Sequence, residues 1–367
     1  TDPDLVHVVG SHVDFSLSCL RRSYRSCETA PVKIASVPWP AGEWRRHLAD
    51  VVRDLGELLD LVGLDAEVLG VHATSRAALR FPLRVPRGFV SRMGRGDPED
   101  PLLRQVLPVQ AEDRDVDGFD SNPVGELSLI SGDGLLSKYR GRALLVATGS
   151  CAIHCRYCFR RHFPYDSGQS KEAGFSAALE KIASDASIEE VILSGGDPLV
   201  LPDDRLRNLA TAIAGIPHVR RLRIHTRMPV VLPERVDEAL TGWIEPSELP
   251  VVVVIHANHP NEIDDRVARA LGALGAAGAT LLNQAVLLRG VNDSSDALEG
   301  LSKRLFDCGV LPYYLHLLDR VAGAAHFEVD EDRALEIMES LRANLPGYLI
   351  PRLVREVEGA PSKVPVK

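Results

Sequence analysis

The chain has 367 residues, 45% of them hydrophobic, and a formal net charge of −9, which suits one barrel-sized domain with a smaller appendage. No block of Lys and Arg looks like a nucleic-acid footprint, no apolar run is long enough to cross a membrane, and no signal peptide is visible. Three of the six cysteines fall within eight residues, which favours metal binding in a reducing compartment over a disulfide framework. We therefore expect a cytoplasmic protein that binds neither nucleic acid nor membrane.

The part of the chain before the connecting segment is predicted to be helical, except for its first 37 residues. Residues 1–37 show no clear periodicity, and no function is assigned to them. Apolar residues recur at spacings of three and four over residues 44–62, and a second short helix is predicted around residues 89–93. Residues 38–108 are therefore interpreted as a helical N-terminal region. Residues 109–137 are acidic and rich in Gly and Asp, which is typical of a connecting segment.

From residue 142 onwards, short apolar runs alternate with amphipathic helical patterns. The runs cover residues 143–148, 190–194, 221–225, 251–256, 280–288 and 312–317. About six strand–helix units in succession predict a parallel sheet with helices outside, because parallel strands need helical crossovers. Six units are fewer than the eight of a complete barrel, so an open doubly wound sheet and a partial barrel both fit this α/β pattern.

The residues that follow the predicted strands are chemically unusual. In both candidate folds, functional residues gather at the carboxyl ends of the strands. The first five ends carry the cysteines, Ser194-Gly-Gly-Asp-Pro198, Arg227, His256-Ala-Asn-His259 and Arg289-Gly-Val-Asn-Asp293, in that order. The sequence therefore predicts one site at this edge of the sheet.

The cysteines form the strongest motif in the chain. Cys151-Ala-Ile-His-Cys155-Arg-Tyr-Cys158 has the spacing C-x3-C-x2-C. Three thiolates on a tight loop can ligate three irons of a [4Fe–4S] cluster and leave the fourth iron open to a small molecule. A zinc site is the alternative, with His154 as an added ligand.

This spacing resembles the signature of the radical S-adenosylmethionine (SAM) enzymes. In that family the open iron binds the amino and carboxylate groups of SAM, and the reduced cluster cleaves SAM to a 5′-deoxyadenosyl radical. Tyr157 before the third cysteine is typical of the family, and Ser194-Gly195-Gly196-Asp197 resembles its glycine-rich segment near the methionine amino group. The resemblance implies an electron donor such as a flavodoxin or ferredoxin.

The resemblance narrows to the lysine 2,3-aminomutases over residues 44–367. The matching segments are Lys138-Tyr-Arg-Gly-Arg142, Cys158-Phe-Arg-Arg-His-Phe-Pro-Tyr165, Leu222-Arg-Ile-His-Thr-Arg-Met-Pro229, His256-Ala-Asn-His-Pro-Asn-Glu262, Asn283-Gln-Ala-Val-Leu-Leu-Arg-Gly-Val-Asn-Asp293, Pro312-Tyr-Tyr314 and Pro361-Ser-Lys363-Val-Pro365. It implies a partial (β/α)6 barrel over residues 138–345, with a C-terminal tail, residues 346–367, that closes the barrel mouth. It also implies an isomerase that uses pyridoxal 5′-phosphate (PLP) to move the α-amino group of L-lysine to the β-carbon.

The PLP residues are carried over from this resemblance. Lys363 matches the family lysine that forms the Schiff base with PLP. Arg142 and Lys138 match the basic residues on the phosphate side, with Tyr139 beside them. Lys138 stands where we expect an arginine, which keeps the charge but loses the bidentate geometry.

The substrate residues follow in the same way. Arg160 matches the arginine that binds the lysine carboxylate. Asp293 and Glu356 match the acids that bind the ε-ammonium, although the second acid is usually an aspartate. A turn or helix cap before residues 294–296 is the alternative role for Asp293.

Within the family, the sequence resembles most the subfamily that makes β-lysine for attachment to translation elongation factor P by its lysyl ligase. No cysteine follows Cys308, and the chain ends four residues after Lys363, whereas enzymes that release free β-lysine continue into a cysteine-bearing, zinc-binding tail. Residues 317–327 also resemble the elongation-factor subfamily. The alternatives are an aminomutase that releases a free β-amino acid from lysine or glutamate, and a non-catalytic iron–sulfur or zinc scaffold protein.

Overall fold

The computed structural model describes residues 39–69, 76–131, 133–165 and 175–367. These residues belong to one unit, Ser36–Lys367. The predicted segment 1–37 lies outside the described residues. Within the described part of the chain, no helix combines the length and the apolar character needed to span a membrane.

The N-terminal part consists of short helices, as predicted. They are α1 (Trp44–Ala49), α2 (Leu55–Val62), α3 (Ala66–Leu69), α4 (Arg76–Arg80), α5 (Arg87–Val90) and α6 (Pro101–Arg104). The apolar pattern over residues 44–62 is split between two helices, because Val52 leaves the helical path and exchanges backbone hydrogen bonds of 2.8 and 3.0 Å with Val85. α2 restarts where the Asp54 side chain accepts the Glu57 N–H, and it ends at Gly63, whose φ of 71° favours glycine.

All six predicted strands are present, within one or two residues of the expected bounds. Across the described residues nine strands form one sheet in chain order: β1 (Leu135–Leu136), β2 (Arg142–Thr148), β3 (Glu190–Gly195), β4 (Arg221–Thr226), β5 (Val251–Ile255), β6 (Thr280–Val286), β7 (Leu311–His316), β8 (Arg352–Arg355) and β9 (Val364–Pro365). Strands β2 to β8 pair in parallel, and β1 and β9 pair antiparallel at the two edges.

Helices connect the parallel strands, which confirms the predicted α/β class. They are α7 (Ser176–Ser184), α8 (Asp203–Ala214), α9 (Met228–Val231), α10 (Glu238–Ile244), α11 (Asp265–Ala276), α12 (Ser295–Asp307) and α13 (Glu331–Asn344). α8 buries Leu206, Leu209 and Ile213, whose spacing of three and four puts them on one helix face. The apolar faces of these helices and the sheet form one continuous core.

The C-terminal segment contributes two strands that the sequence analysis did not predict. In β8, Leu353 pairs in parallel with Leu315 of β7, and Val354 pairs antiparallel with Pro365 of β9. The hairpin between β8 and β9 carries Glu356 and Lys363, and both line the cavity described below. The C-terminal segment thus adds two strands at one edge of the sheet and brings two predicted site residues to the carboxyl ends of the strands.

Candidate active site

One cavity of about 370 Å³ lies where the parallel strands end. Its wall brings together nearly all of the site residues predicted from the sequence, namely Lys138, Tyr139, Arg142, Cys151, Cys155, Cys158, Arg160, Ser194, Gly195, Gly196, Asp197, Glu356 and Lys363. Asp293 is not among the residues that line it. The segments that supply these residues are far apart in the chain, so the fold itself assembles the site.

The three cysteines follow β2 on a short loop, and none of them forms a disulfide. Burial, and then the neighbouring thiols, raise the pKa of Cys158 to about 11 and that of Cys151 well above its usual range. Thiolates here need a neighbouring positive charge, which bound iron supplies. The thiols therefore fit an iron–sulfur cluster. Among the described residues, no group of three or more His, Cys, Asp or Glu side chains is placed to hold a single metal ion.

His154, the alternative zinc ligand, is engaged elsewhere through one ring nitrogen. Its Nδ1 lies 2.7 Å from the Pro82 carbonyl oxygen, and its ring stacks on Phe81 with centroids 4.7 Å apart. Burial lowers the pKa of His154, so the imidazole is neutral at physiological pH. These contacts fix the ring against the N-terminal helical region.

A buried ion triad fixes the cysteine loop to the connecting segment. Arg156, which follows Cys155, donates from Nε and Nη2 to the Glu112 carboxylate at 2.9 and 2.6 Å. Arg161 donates to the same carboxylate at 2.7 Å, and both guanidinium groups lie over the Phe81 ring. This function of Glu112 could not be predicted from the sequence, because an acidic residue in an acidic linker normally faces solvent. Here it stabilises the loop that carries the three cysteines.

The glycine-rich segment packs against the cysteine loop without room for side chains. A Cβ on Gly195 would collide with the Thr148 carbonyl oxygen, and one on Gly196 would collide with that of Ser150. Gly195 also has a φ of 123°, which L-amino acids rarely adopt. Two glycines are therefore required for β3 to approach the loop this closely.

Asp197 at the end of this segment joins β3 to β4. Its carboxylate accepts the Thr226 hydroxyl at 2.7 Å and the backbone N–H groups of Arg227 and Met228 at 2.7 and 3.1 Å. Burial raises the pKa of Asp197 to about 6, although these hydrogen bonds act in the opposite direction. The residue holds two strand ends in register beside the cysteines.

A second charged cluster lies on the β8–β9 side of the cavity. Glu356 Oε2 accepts from Lys138 Nζ at 2.9 Å and from the Tyr139 hydroxyl at 2.5 Å, and Oε1 pairs with Lys363. Burial opposes ionisation, but Lys363 and the hydrogen bonds outweigh it and hold the pKa of Glu356 at about 2. The Arg142 guanidinium lies over the Tyr139 ring, 5.2 Å from its centroid. Two lysines and one phenol therefore bind this carboxylate, and a third cation lies behind the phenol ring.

Arg160 is buried and already paired. It donates to both Glu126 carboxylate oxygens at 2.7 and 2.8 Å, and Nη1 donates to Ser194 Oγ and the Gly195 carbonyl oxygen, both at 3.1 Å. Glu126, like Glu112, comes from the connecting segment. A substrate carboxylate that approaches Arg160 must therefore share the guanidinium with Glu126.

The structure does not bring Asp293 into the cavity. Its carboxylate accepts the Gly290 N–H at 3.0 Å within the turn after β6, and Ser294 caps the following helix. Asp319 lines the cavity in its place, in the loop after β7. Burial, and then the Glu356 charge, raise the pKa of Asp319 to about 7. Asp319 could have been found from the sequence by its position after the predicted strand 312–317. That was the one predicted strand end to which we assigned no residue.

Replacing Glu112 with Gln is expected to lower the free energy of unfolding by about 3–5 kcal/mol, because two buried guanidinium groups lose their counter-charge. Glu99→Gln is the matched control, since it removes an exposed partner of Arg104 and should cost less than about 1 kcal/mol. Urea unfolding followed by circular dichroism measures both. Equal losses in the two variants would contradict the structural role of the triad.

Comparison with known proteins is consistent with this site. Residues 145–299 match the family model described as the radical SAM superfamily. The chain is 49% identical to an L-lysine 2,3-aminomutase of Escherichia coli K12, over 88% of this chain and 94% of that protein. It is 44% identical to one from Haemophilus influenzae, over 87% and 94%. It is 33% identical to one from Clostridium subterminale, over 91% of this chain and 79% of that protein.

Proposed function

The chain belongs to the L-lysine 2,3-aminomutase family of radical SAM enzymes, and from this premise we propose that it converts L-lysine to β-lysine with the help of PLP. The family assignment makes it an isomerase with a [4Fe–4S] cluster and SAM. The observation that carries the proposal is that one cavity is lined both by the three cysteines and by Lys363 with its cationic neighbours. Hydrogen abstraction and amino-group migration have to occur within one such enclosure.

The residues of the β8–β9 side fit PLP. Bound PLP would supply an electron-delocalising ring at the migrating nitrogen. Its phosphate needs cations, and Arg142 and Lys138 supply them beside Tyr139. Its aldehyde needs an amine that can lose a proton, and Lys363 lies in the cavity with Glu356 as the neighbouring carboxylate.

Lys363 is expected to carry the pyridoxyl label after borohydride reduction of the PLP-loaded enzyme, since it lies in the cavity and matches the family lysine that forms the Schiff base with PLP. Peptide mapping by mass spectrometry locates the label. Lys138 is the internal control, because it lines the same cavity and pairs with the same carboxylate. A label on Lys138 or on any other lysine would contradict the assignment.

The charges of the cavity suit lysine as the substrate. Arg160 lies at the end near the cysteines and offers a cation to the α-carboxylate. Asp319 and Glu356 line the same cavity and lie close enough for the charge of Glu356 to raise the pKa of Asp319, and an ε-ammonium would need such anions. We therefore assign to Asp319 the function that the sequence suggested for Asp293. A glutamate side chain would meet like charge there, which disfavours the glutamate alternative.

Asp319→Asn is expected to raise the KM for lysine about tenfold to a hundredfold, because one hydrogen-bonded charge pair contributes roughly 1.5–3 kcal/mol. Asp293→Asn, outside the cavity, is the control and should leave KM near the wild-type value. With an Asp319 pKa of about 7, the wild-type carboxyl becomes charged as pH rises, so KM should fall between pH 6 and pH 8. The steady-state KM measured across this range should be flatter in Asp319→Asn. A larger effect of Asp293→Asn would restore the original assignment.

We further propose that the β-lysine is made for translation elongation factor P, in the cytoplasm, with a flavodoxin or ferredoxin as electron donor. Residues 317–327, which include the cavity residue Asp319, resemble the elongation-factor subfamily. The relatives from E. coli and Haemophilus are matched over 94% of their length at 44–49% identity, against 79% at 33% for the Clostridium enzyme. The higher identity to the relatives from E. coli and Haemophilus supports this proposal.

Deletion of the gene should leave elongation factor P without its β-lysyl group, as measured by intact mass, and added β-lysine should restore it. The restoration separates loss of β-lysine from loss of the ligase. An unchanged factor mass in a strain with no second aminomutase would exclude this assignment and favour an enzyme that releases free β-lysine. The aminomutase chemistry itself would not be affected by that result.

A further inference from the structure

One buried arginine contacts a cluster-ligand sulfur directly. Arg227 follows β4, and its Nη1 donates to Cys155 Sγ at 2.6 Å and to the Tyr157 hydroxyl at 2.7 Å. Its Nη2 donates to Gln105 Oε1 at 2.7 Å and to Glu262 Oε2 at 2.9 Å. The guanidinium also lies over the Tyr157 ring, 5.8 Å from its centroid. Both arms of one cation are therefore fixed, and one of them points at a thiol sulfur.

The surroundings hold this arginine in place. Glu262 is fully buried, and its other oxygen, Oε1, accepts from the backbone N–H of Asn258 at 2.9 Å and from Gln105 Nε2 at 3.1 Å. The backbone N–H of Arg227 is held by Asp197, as described above. A single carboxylate therefore balances the charge of Arg227 on the side away from the sulfur. The positive charge next to Cys155 is a rigid property of the fold.

We propose that Arg227 sets the reduction potential of the iron–sulfur cluster by donating a charged hydrogen bond to the Cys155 sulfur; this rests on the cluster assigned above. Reduction adds one electron and no proton to the cluster, so negative charge at the sulfurs increases. A cation and an N–H donor at a ligand sulfur stabilise that extra charge and raise the potential. Arg227 acts through Cys155, and in that sense it is a positioning residue.

Cys155 and Cys158 differ in the kind of hydrogen-bond donor that contacts the sulfur. The Cys158 sulfur receives a hydrogen bond from the Arg160 backbone N–H, which carries no net charge. Cys155 receives its hydrogen bond from a guanidinium instead. Of these two sulfurs, Cys155 would therefore be the one at which a charged donor stabilises the reduced cluster.

The chain offers a matched control for the packing of Arg227. Arg92 is also buried, and the guanidinium groups of Arg92 and Arg227 both lie over the Phe89 ring, 5.1 and 5.5 Å from its centroid. Arg92 donates to the carbonyl oxygens of Val230, at 2.8 Å, and of Glu262. Within the described part of the chain, Arg92 donates its hydrogen bonds to backbone oxygens and not to a cysteine sulfur. Loss of Arg92 should thus disturb the same region without touching the cluster.

The test is an anaerobic redox titration of the reconstituted protein without SAM, followed by electron paramagnetic resonance, with iron and sulfide content measured in parallel. At the potential where wild-type protein is half reduced, Arg227→Gln should show about a tenfold lower ratio of reduced to oxidised cluster, a shift of about 59 mV for one electron. Glu262→Gln should shift in the opposite direction, because it removes the anion that balances Arg227. Arg92→Gln should match the wild type.

A wild-type potential in Arg227→Gln that holds four irons would overturn the proposal, and so would an equal shift in Arg92→Gln. If Arg227→Gln does not assemble the cluster, Glu262→Gln decides: a higher potential supports the proposal, and an unchanged or lower one overturns it. Wild-type protein that binds no iron would refute the proposed function as well, and the iron assay distinguishes that result from the others.

Discussion

Parallel pairing of β2 to β8 is the constraint on which the rest of the structure depends. It delivers the carboxyl ends of successive strands to one edge, so the residues after each strand meet although they are far apart in the chain. The cysteines follow β2, the glycine pair ends β3, Arg227 follows β4 and Asp319 follows β7. The C-terminal hairpin completes the edge, since β8 extends the same parallel sheet and places Glu356 and Lys363 beside it. The cavity exists because of this topology.

The second constraint is that buried charges at this edge need partners. Glu112 balances Arg156 and Arg161, Glu126 balances Arg160, Glu262 balances Arg227, and Glu356 balances Lys138 and Lys363. Each pair avoids the cost of an isolated buried charge. One arginine lies at a cysteine sulfur, and the carboxylates Asp319 and Glu356 line the same cavity. Binding of a zwitterionic amino acid with a cationic side chain is consistent with this set of charges.

The sequence alone was sufficient to predict features that depend on residues close together in the chain. The six strands, the cysteine loop and the glycine pair are local patterns. All six predicted strands are present, and the cysteines and glycines lie at the predicted strand ends. The sequence was not sufficient to predict which side chains a loop brings to the cavity. Asp293 and Asp319 both follow strands, and only the three-dimensional turn after β6 shows that Asp293 bonds to Gly290 and not to the cavity. Glu112 and Glu126 could not be distinguished from the other acidic residues of the connecting segment. β8 has four residues and is too short to show a periodic pattern.

The central claim is that lysine is rearranged by radical chemistry in the cavity that holds both the cysteines and Lys363. The most direct measurement is to incubate anaerobically reconstituted protein with SAM, PLP, a reductant and L-lysine deuterated at the β-carbon, and to analyse lysine, β-lysine and 5′-deoxyadenosine by mass spectrometry. We expect β-lysine to accumulate and the 5′-deoxyadenosine recovered from the reaction to contain deuterium. Lysine recovered unchanged with all of its deuterium, from protein that holds a complete [4Fe–4S] cluster and PLP, would contradict the central claim.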